Sequence, residues 1–457
     1  MNLDQLARDA GADVRDQVAT IEPPTPGAIA RRSRRGRMGT GLAALAVLAL
    51  AGVGLAAALQ DDPAPSRLQV TDDPGSQGLP ANGWVAFTSG NGVNGGPGDD
   101  VYLVREGESP RRVAGSDTDT SDQVCPSFSP DGRRLVFGQA TLSYRSGHTF
   151  YDDAALVILE VGADGSTSGT TTIPVEDLTA PPCPLWSPDG RWLAFGAGSN
   201  PAQFEWDATE VRLVDTVTEE QRRLPGYAAT DLEWLPGTDE LAIADDGIHV
   251  YSLTTGEVRS LGIEGAGQLA WSPDGTTIAF TRVPGVDDGG KTVWLADTDG
   301  TDERQLTGEH TMLSGIGPVW SPDGRVIAYQ RSISGGESSE VVLVTATDDD
   351  ADDPIGTETV IHPPTTPGTD GPVSWYPESV TWSPDGTMLL YVATNDACRS
   401  RSSPECVAQR GFSLDGVVAV PVDPTRAPFI LVAPSYDDPS YNASRGGLQT
   451  WGRQPLN

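Results

Sequence analysis

Trp271-Ser-Pro-Asp-Gly275, with Ile278-Ala-Phe280 shortly behind it, reads as the end of one apolar run, a tight turn and the start of the next run. Proline supplies the fixed φ of the first corner, aspartate takes the second, and glycine makes the left-handed exit that a side chain would resist. The phrase is a hairpin. It recurs as Phe128-Ser-Pro-Asp-Gly132, Trp186-Ser-Pro-Asp-Gly190, Trp320-Ser-Pro-Asp-Gly324 and Trp382-Ser-Pro-Asp-Gly386, with a degenerate copy at Trp234-Leu-Pro-Gly-Thr-Asp239.

The aromatic corners Phe128, Trp186, Trp234, Trp271, Trp320, Trp382 and Trp451 stand 37 to 69 residues apart. That spacing suits propeller blades of about 40–50 residues with loop insertions. Around Trp271 all four strands of one copy are visible: the run ending in Trp271, then Thr277 to Arg282, Thr292 to Asp297 and Glu303 to Thr307. The two ends are complementary halves. Trp84-Val-Ala-Phe87 is a second strand without its preceding corner, and Leu448-Gln-Thr-Trp451 is a corner that stops within six residues. Pairing them completes one blade from both termini and leaves no open edge. The expectation is an all-β, seven-bladed β-propeller of four-stranded antiparallel blades over residues 82–457. Each corner ring is expected to fill the space between neighbouring sheets, as a large apolar group must.

Over residues 82–453 this pattern resembles the TolB-type β-propeller repeat, also found in the propellers of prolyl-oligopeptidase-type peptidases. The resemblance implies a fold and is nearly silent about activity. TolB is an exported partner-binding protein of the Tol-Pal envelope system, with an α/β domain ahead of its propeller. Here an expected anchor and linker occupy that place. No Gly-x-Ser-x-Gly elbow and no hydrolase-sized region follows the repeats, so the peptidase half of the second resemblance is missing.

Residues 1–60 carry a net charge of +2 and the remainder −36, together the −34 of the chain. So acidic a body repels a phosphate backbone, which needs clustered Lys and Arg to displace its counterions; no nucleic-acid partner is expected. The plain consequence of the charge is a solvated surface.

Leu3, Leu6, Ala7, Ala10, Val14 and Val18 make one face of a short amphipathic helix in a cytoplasmic segment, 1–37, that ends in the basic cluster Arg31, Arg32, Arg34, Arg35 and Arg37. Residues 38–60 are uncharged, long enough to cross a bilayer, and followed by Asp61 and Asp62. The positive-inside rule then places the N-terminus in the cytoplasm and the rest outside a bacterial membrane. The rival reading is a secretory signal with Ala56-Ala57-Ala58 as its cleavage site and Ser33-Arg34-Arg35 as a faint twin-arginine signal; both readings export the propeller. Residues 61–81 read as a linker rich in Asp, Pro, Ser and Gly.

Cys125 and Cys183 each stand three residues before a corner, in the form Cys-Pro-x-aromatic. If that position lies on the innermost strand, sevenfold geometry sets their α-carbons about 6 Å apart, within disulfide range. Cys398 and Cys406 flank one loop of the last blade and can close a second bridge, as suits an oxidising exterior. A metal at either pair lacks a histidine at ligand spacing. His148, His249, His310 and His362 fall in different copies. Gly90 to Gly98 has no lysine and no following helix pattern, so it is a blade loop and not a phosphate cradle.

Asp297-Thr-Asp-Gly-Thr-Asp-Glu303 imitates the start of a calcium loop, but Gly308 stands where the twelfth-position glutamate belongs. It coincides with the turn between third and fourth strands, and a turn is the simpler reading. Asp348-Asp-Asp-Ala-Asp-Asp353 occupies the equivalent loop of the next blade and is a place where weak Ca²⁺ binding is considered; no other cofactor is expected. The expected function is non-catalytic binding of a protein or cell-envelope component by a membrane-anchored extracytoplasmic propeller. The alternatives are a glycan or ester hydrolase or lyase with an acidic or calcium site at the axis, and a transmembrane signalling protein with a cytoplasmic partner for residues 1–30. The first alternative requires carboxylates to converge at the axis, which a linear sequence does not display.

Overall fold

The chain divides into two units, Met1–Pro63 and Ala64–Asn457. The structure, a computed structural model, describes residues 82–453 except for 91–98, 116–120, 146–147, 179, 199–207, 228, 283–290, 309–316, 334–337, 347–355, 362–364, 369–370, 396–414, 424, 426–427 and 433–449. The expected membrane span at 38–60, the bridge between Cys398 and Cys406 and the acidic run Asp348–Asp353 lie outside the described residues. Among the described residues no helix is long and apolar enough to cross a membrane.

All the regular elements described are strands, grouped in seven antiparallel sheets. The first strands of successive sheets touch in turn around the molecule, and the last of them reaches back to the second blade, so the ring is closed. Closure uses both ends of the domain: Thr450–Arg453 pairs antiparallel with Asn82–Gly90, with Val85 opposite Trp451 and Ala86 opposite Thr450. Blade one therefore has its innermost strand from the C-terminal end and its other three from the N-terminal end. Six sheets have four strands. The seventh carries a fifth, Thr365–Gly368, which pairs with the first residues of Gly371–Trp382, while Trp375 to Trp382 pair with the next strand. Thr-Thr-Pro-Gly-Thr-Asp-Gly supplies threonines for a short strand and a turn behind them, so this stretch forms a hairpin where the repeat alone implies only a connection.

The Ser-Pro-Asp-Gly turn is the same in all five of its copies. In the copy at Trp271 the Gly275 amide donates to Ser272 O at 2.8 Å, Gly275 sits at φ 72°, and the Ser272 hydroxyl donates to Asp274 at 2.6 Å. The Ser272 oxygen also accepts the Thr277 amide at 3.0 Å, which starts the next strand in register. Hydrogen bonds from Ser272 and then the Thr276 amide hold the Asp274 carboxyl below its usual range. Serine is thus as much a part of the turn as proline and glycine.

Seven apolar clusters fill the seven seams between blades. Strand alternation makes this possible, because each buried strand sends successive side chains to opposite neighbours. Leu232 and Trp234 pack toward blade three, whereas Leu235 packs toward blade five. Phe128, Trp186, Trp234, Trp271, Trp320 and Trp382 are all buried in the seam with the preceding blade. The Trp451 side chain lies outside the description. The indoles also carry a repeated bond: Trp186 donates to Ser127 O, Trp234 to Leu185 O, Trp320 to Ala270 O and Trp382 to Val319 O, at 3.0 to 3.3 Å. In each case the acceptor is the residue just before the preceding blade's corner.

Candidate functional site

An antiparallel blade sorts its connections by end. First-to-second and third-to-fourth turns leave one face of the ring; second-to-third and fourth-to-first connections leave the other. The first face therefore holds the uniform Ser-Pro-Asp-Gly turns. The second face takes the second-to-third connections, whose lengths differ widely from blade to blade, from the two residues between Ala244 and Gly247 to the stretch between Asn395 and Asp415; on the first face the connection between Thr345 and Glu358 is the long one. The second face also holds two projecting hairpins. In blade two, Arg134–Arg145 and His148–Val161 stay paired beyond residue 141, where the inner strand ends its pairing, and beyond Ala155, where the outer strand does. In blade seven, residues 365–374 form the extra hairpin.

Where this face meets the axis, Asp122 joins three elements. Its carboxylate accepts the Asp99 amide at 2.7 Å and the Tyr151 hydroxyl at 3.2 Å. Burial raises the Asp122 pKa, and burial followed by the Asp122 charge raises that of Tyr151. Asp122 thus fixes the root of the blade-two hairpin to the first blade.

Three residues before each corner, the inner strands crowd together. Here stand Cys125, Cys183, Asp231, Gln268, Gly317 and Ser379. Cys125 and Cys183 are joined by a disulfide, with α-carbons 5.0 Å apart. A bulge between Val124 and Ser127 sets Cys125 at φ 53°, the left-handed region, and so turns its sulfur to the next blade. Gly138 is required beside it, since a β-carbon there would lie 1.8 Å from Pro182 O. Further round the ring, a β-carbon on Gly317 would meet Gln268 at 2.4 Å. The bridge spans 58 residues, and by loop-closure entropy its reduction should cost about 4 kcal/mol. Thermal unfolding with and without reductant measures this; an unchanged midpoint would show that the seam holds without it.

At the same level Asp231 crosses from blade four to blade five, accepting the Leu269 amide at 2.7 Å and its neighbour's Leu232 amide at 2.9 Å. Glu233, two residues on, faces the same seam. Both keep some solvent contact, yet burial pushes Asp231 up to about 6, and burial with the Asp231 charge pushes Glu233 up to about 8. Partial access with strong desolvation is the state of groups along a narrow axis. Neither residue belongs to a motif recognised in the sequence. The available signal was their position, three and one before the corner of the degenerate copy.

The calcium-like stretch is the third-to-fourth turn of blade five: Gly300 has φ 86°, and Asp299 accepts the Thr301 amide and hydroxyl at 3.0 and 2.6 Å. His249 lies against Tyr227, ring centroids 5.6 Å apart. His310 and His362 are outside the described residues, as is the His148 side chain. Among the described residues no group of three or more His, Cys, Asp and Glu is placed to hold a metal ion.

No family model and no curated protein matches the sequence. Solved structures do. TolB from Acinetobacter baumannii is 20% identical at a TM-score of 0.40, covering 57% of this chain and 61% of its own. In fold the domain is a seven-bladed β-propeller. A manganese complex of oligogalacturonate lyase is 15% identical over 77% of this chain and 85% of its own, TM-score 0.43, and a prolyl endopeptidase chain is matched at 14% over 76% of this chain and 49% of its own, TM-score 0.45. At such identities the likeness is one of fold. The chain spans less than two thirds of the TolB chain it matches and about half of the endopeptidase chain, and its assignment as a propeller rests on its own sheet order and closure.

Proposed function

We propose that this chain is a membrane-anchored, extracytoplasmic propeller that binds a protein or cell-envelope component on its loop face, without catalysis. The observation that carries this is the sorting of connections: both projecting hairpins and most of the long non-repeating connections leave one end of the ring, while the five Ser-Pro-Asp-Gly turns leave the other. Binding surfaces are commonly made this way, with variable loops held by a scaffold that does not move. Residues 38–60 would hold the ring at the outer side of a membrane and 61–81 would space it from the lipid. A hydrolase or lyase reading has the axial carboxylates Asp231 and Glu233 in its favour, but Asp231 already takes two backbone amides and bridges two blades.

The test is cross-linking in intact membranes with two loop-replaced variants. Replacing residues 199–207 by a short Gly-Ser linker should abolish capture of whatever the wild type cross-links reproducibly, whereas replacing the turn at 298–303 should leave it unchanged. Equal loss in both, or in neither, overturns the loop-face assignment. Washing of the same membranes should leave the chain attached; release of a product beginning near residue 59 would show that no anchor is retained.

A further inference from the structure

Four corner indoles donate to the backbone oxygen of the residue before the preceding corner, and Trp271 does not. Its N–H is buried and without a partner, although the ring is only 4% exposed. The residue in the matching position before Trp234 is Glu233. Alternation along this strand turns Asp231, Glu233 and Leu235 toward blade five, as the Asp231 bond to Leu269 and the packing of Leu235 beside Trp271 both show. A carboxyl with no hydrogen bond or ion pair among the described residues therefore shares a seam with an orphaned buried donor. Leaving such a donor unmet is costly, and a carboxylate is the strongest acceptor a side chain offers.

The surroundings decide which protonation state the seam favours. From blade four the neighbouring charge is Asp231; from blade five the polar groups at this level are Gln268 and Thr281. Arg282, at the far end of that blade's second strand, is committed to Glu303 at 2.7 Å and to Glu264 O at 3.1 Å. Burial and then the Asp231 charge are what act on Glu233, and both oppose its ionisation.

We propose that Glu233, Asp231 and the Trp271 N–H form a proton-responsive latch across the seam of blades four and five, in which loss of the Glu233 proton passes its carboxylate onto the indole. The proton goes to solvent, and the ionised carboxylate gains the donor that the protonated form leaves unmet. The seam then has two arrangements, one with the indole N–H unmet and one with it bonded to the carboxylate. Sensing of external pH is the chemistry this suits.

The direct reading is the indole ¹H–¹⁵N signal of Trp271, assigned by its absence in Trp271→Phe. In the full chain that signal should move between pH 6 and pH 9.5, with a midpoint well above the usual carboxylate range. Glu233→Gln should abolish the movement, and Asp231→Asn should shift the midpoint down, because it removes the like charge. Stability gives a second reading. Glu233 binds its proton more tightly folded than unfolded, so the folded state loses ground as pH rises from about 4.5 through about 8, and melting of the wild type should fall relative to Glu233→Gln across that window. A Trp271 signal that stays still, or that still titrates in Glu233→Gln, overturns the latch. Should Glu233→Gln fail to fold, the Asp231→Asn midpoint decides alone: an unchanged midpoint counts against it.

Discussion

Trp320→Ala should lower the stability of the propeller by about 3–5 kcal/mol, read from urea unfolding followed by tryptophan fluorescence. Trp320 is 9% exposed and packs with Ala270, Leu295 and Leu306 of blade five on one side and Ile327 and Tyr329 of its own blade on the other. Alanine removes most of that contact and leaves a cavity that two rigid sheets cannot close. Part of the loss is the indole bond to Ala270 O at 3.0 Å. A paired comparison isolates it. Trp320→Phe loses that bond and Trp271→Phe, at pH 6, loses none, so the first should be the more damaging by about 1 kcal/mol. A Trp320→Ala cost below about 1 kcal/mol would mean that the corners are not what holds neighbouring blades together.

Ending the chain at residue 449 should be at least as damaging. It removes Thr450–Arg453, the inner strand of blade one, and with it the pairing to Asn82, Val85 and Ala86. The strand Asn82–Gly90 would then present an open edge to the axis, and the last blade would lose its neighbour there. The expected result is a loss of about 3 kcal/mol or more, with fast amide exchange through residues 82–104 and self-association on a sizing column. Unfolding of the shortened chain at the full-length midpoint would show that the ring does not depend on joining its ends.

These two experiments touch features that short stretches of sequence already announce. Trp-Ser-Pro-Asp-Gly contains its own turn: the glycine needed at φ 72° and the serine that starts the next strand lie within five residues of one another. Recurrence at blade spacing then sets the number of sheets, and the half-repeats at Trp84 and Trp451 set how the ring closes. Cys125 and Cys183 were legible for the same reason, being one repeat position seen twice. The fifth strand at Thr365–Gly368 was less so, since it belongs to a single blade and has no second copy to compare with.

The axial carboxylates show where legibility ends. Asp231 and Glu233 are ordinary strand residues in the least regular copy, and nothing near them in the chain distinguishes them from dozens of other acids. Their character comes from burial between two sheets, where the amide of Leu269, 38 residues beyond Asp231 and in the next sheet, reaches the Asp231 carboxylate.

Alone, the order of residues determined the turns, the strand periodicity, the count of blades and the joining of the ends, because each of these is written in neighbours or in repetition. Only the tertiary structure decided which face of an inner strand meets which seam, that the Trp271 N–H is left without the bond its counterparts make, and that two carboxyls share one desolvated place. Those depend on how adjacent sheets are turned about a common axis, and desolvation is a property of everything packed around a group, whatever its distance along the chain.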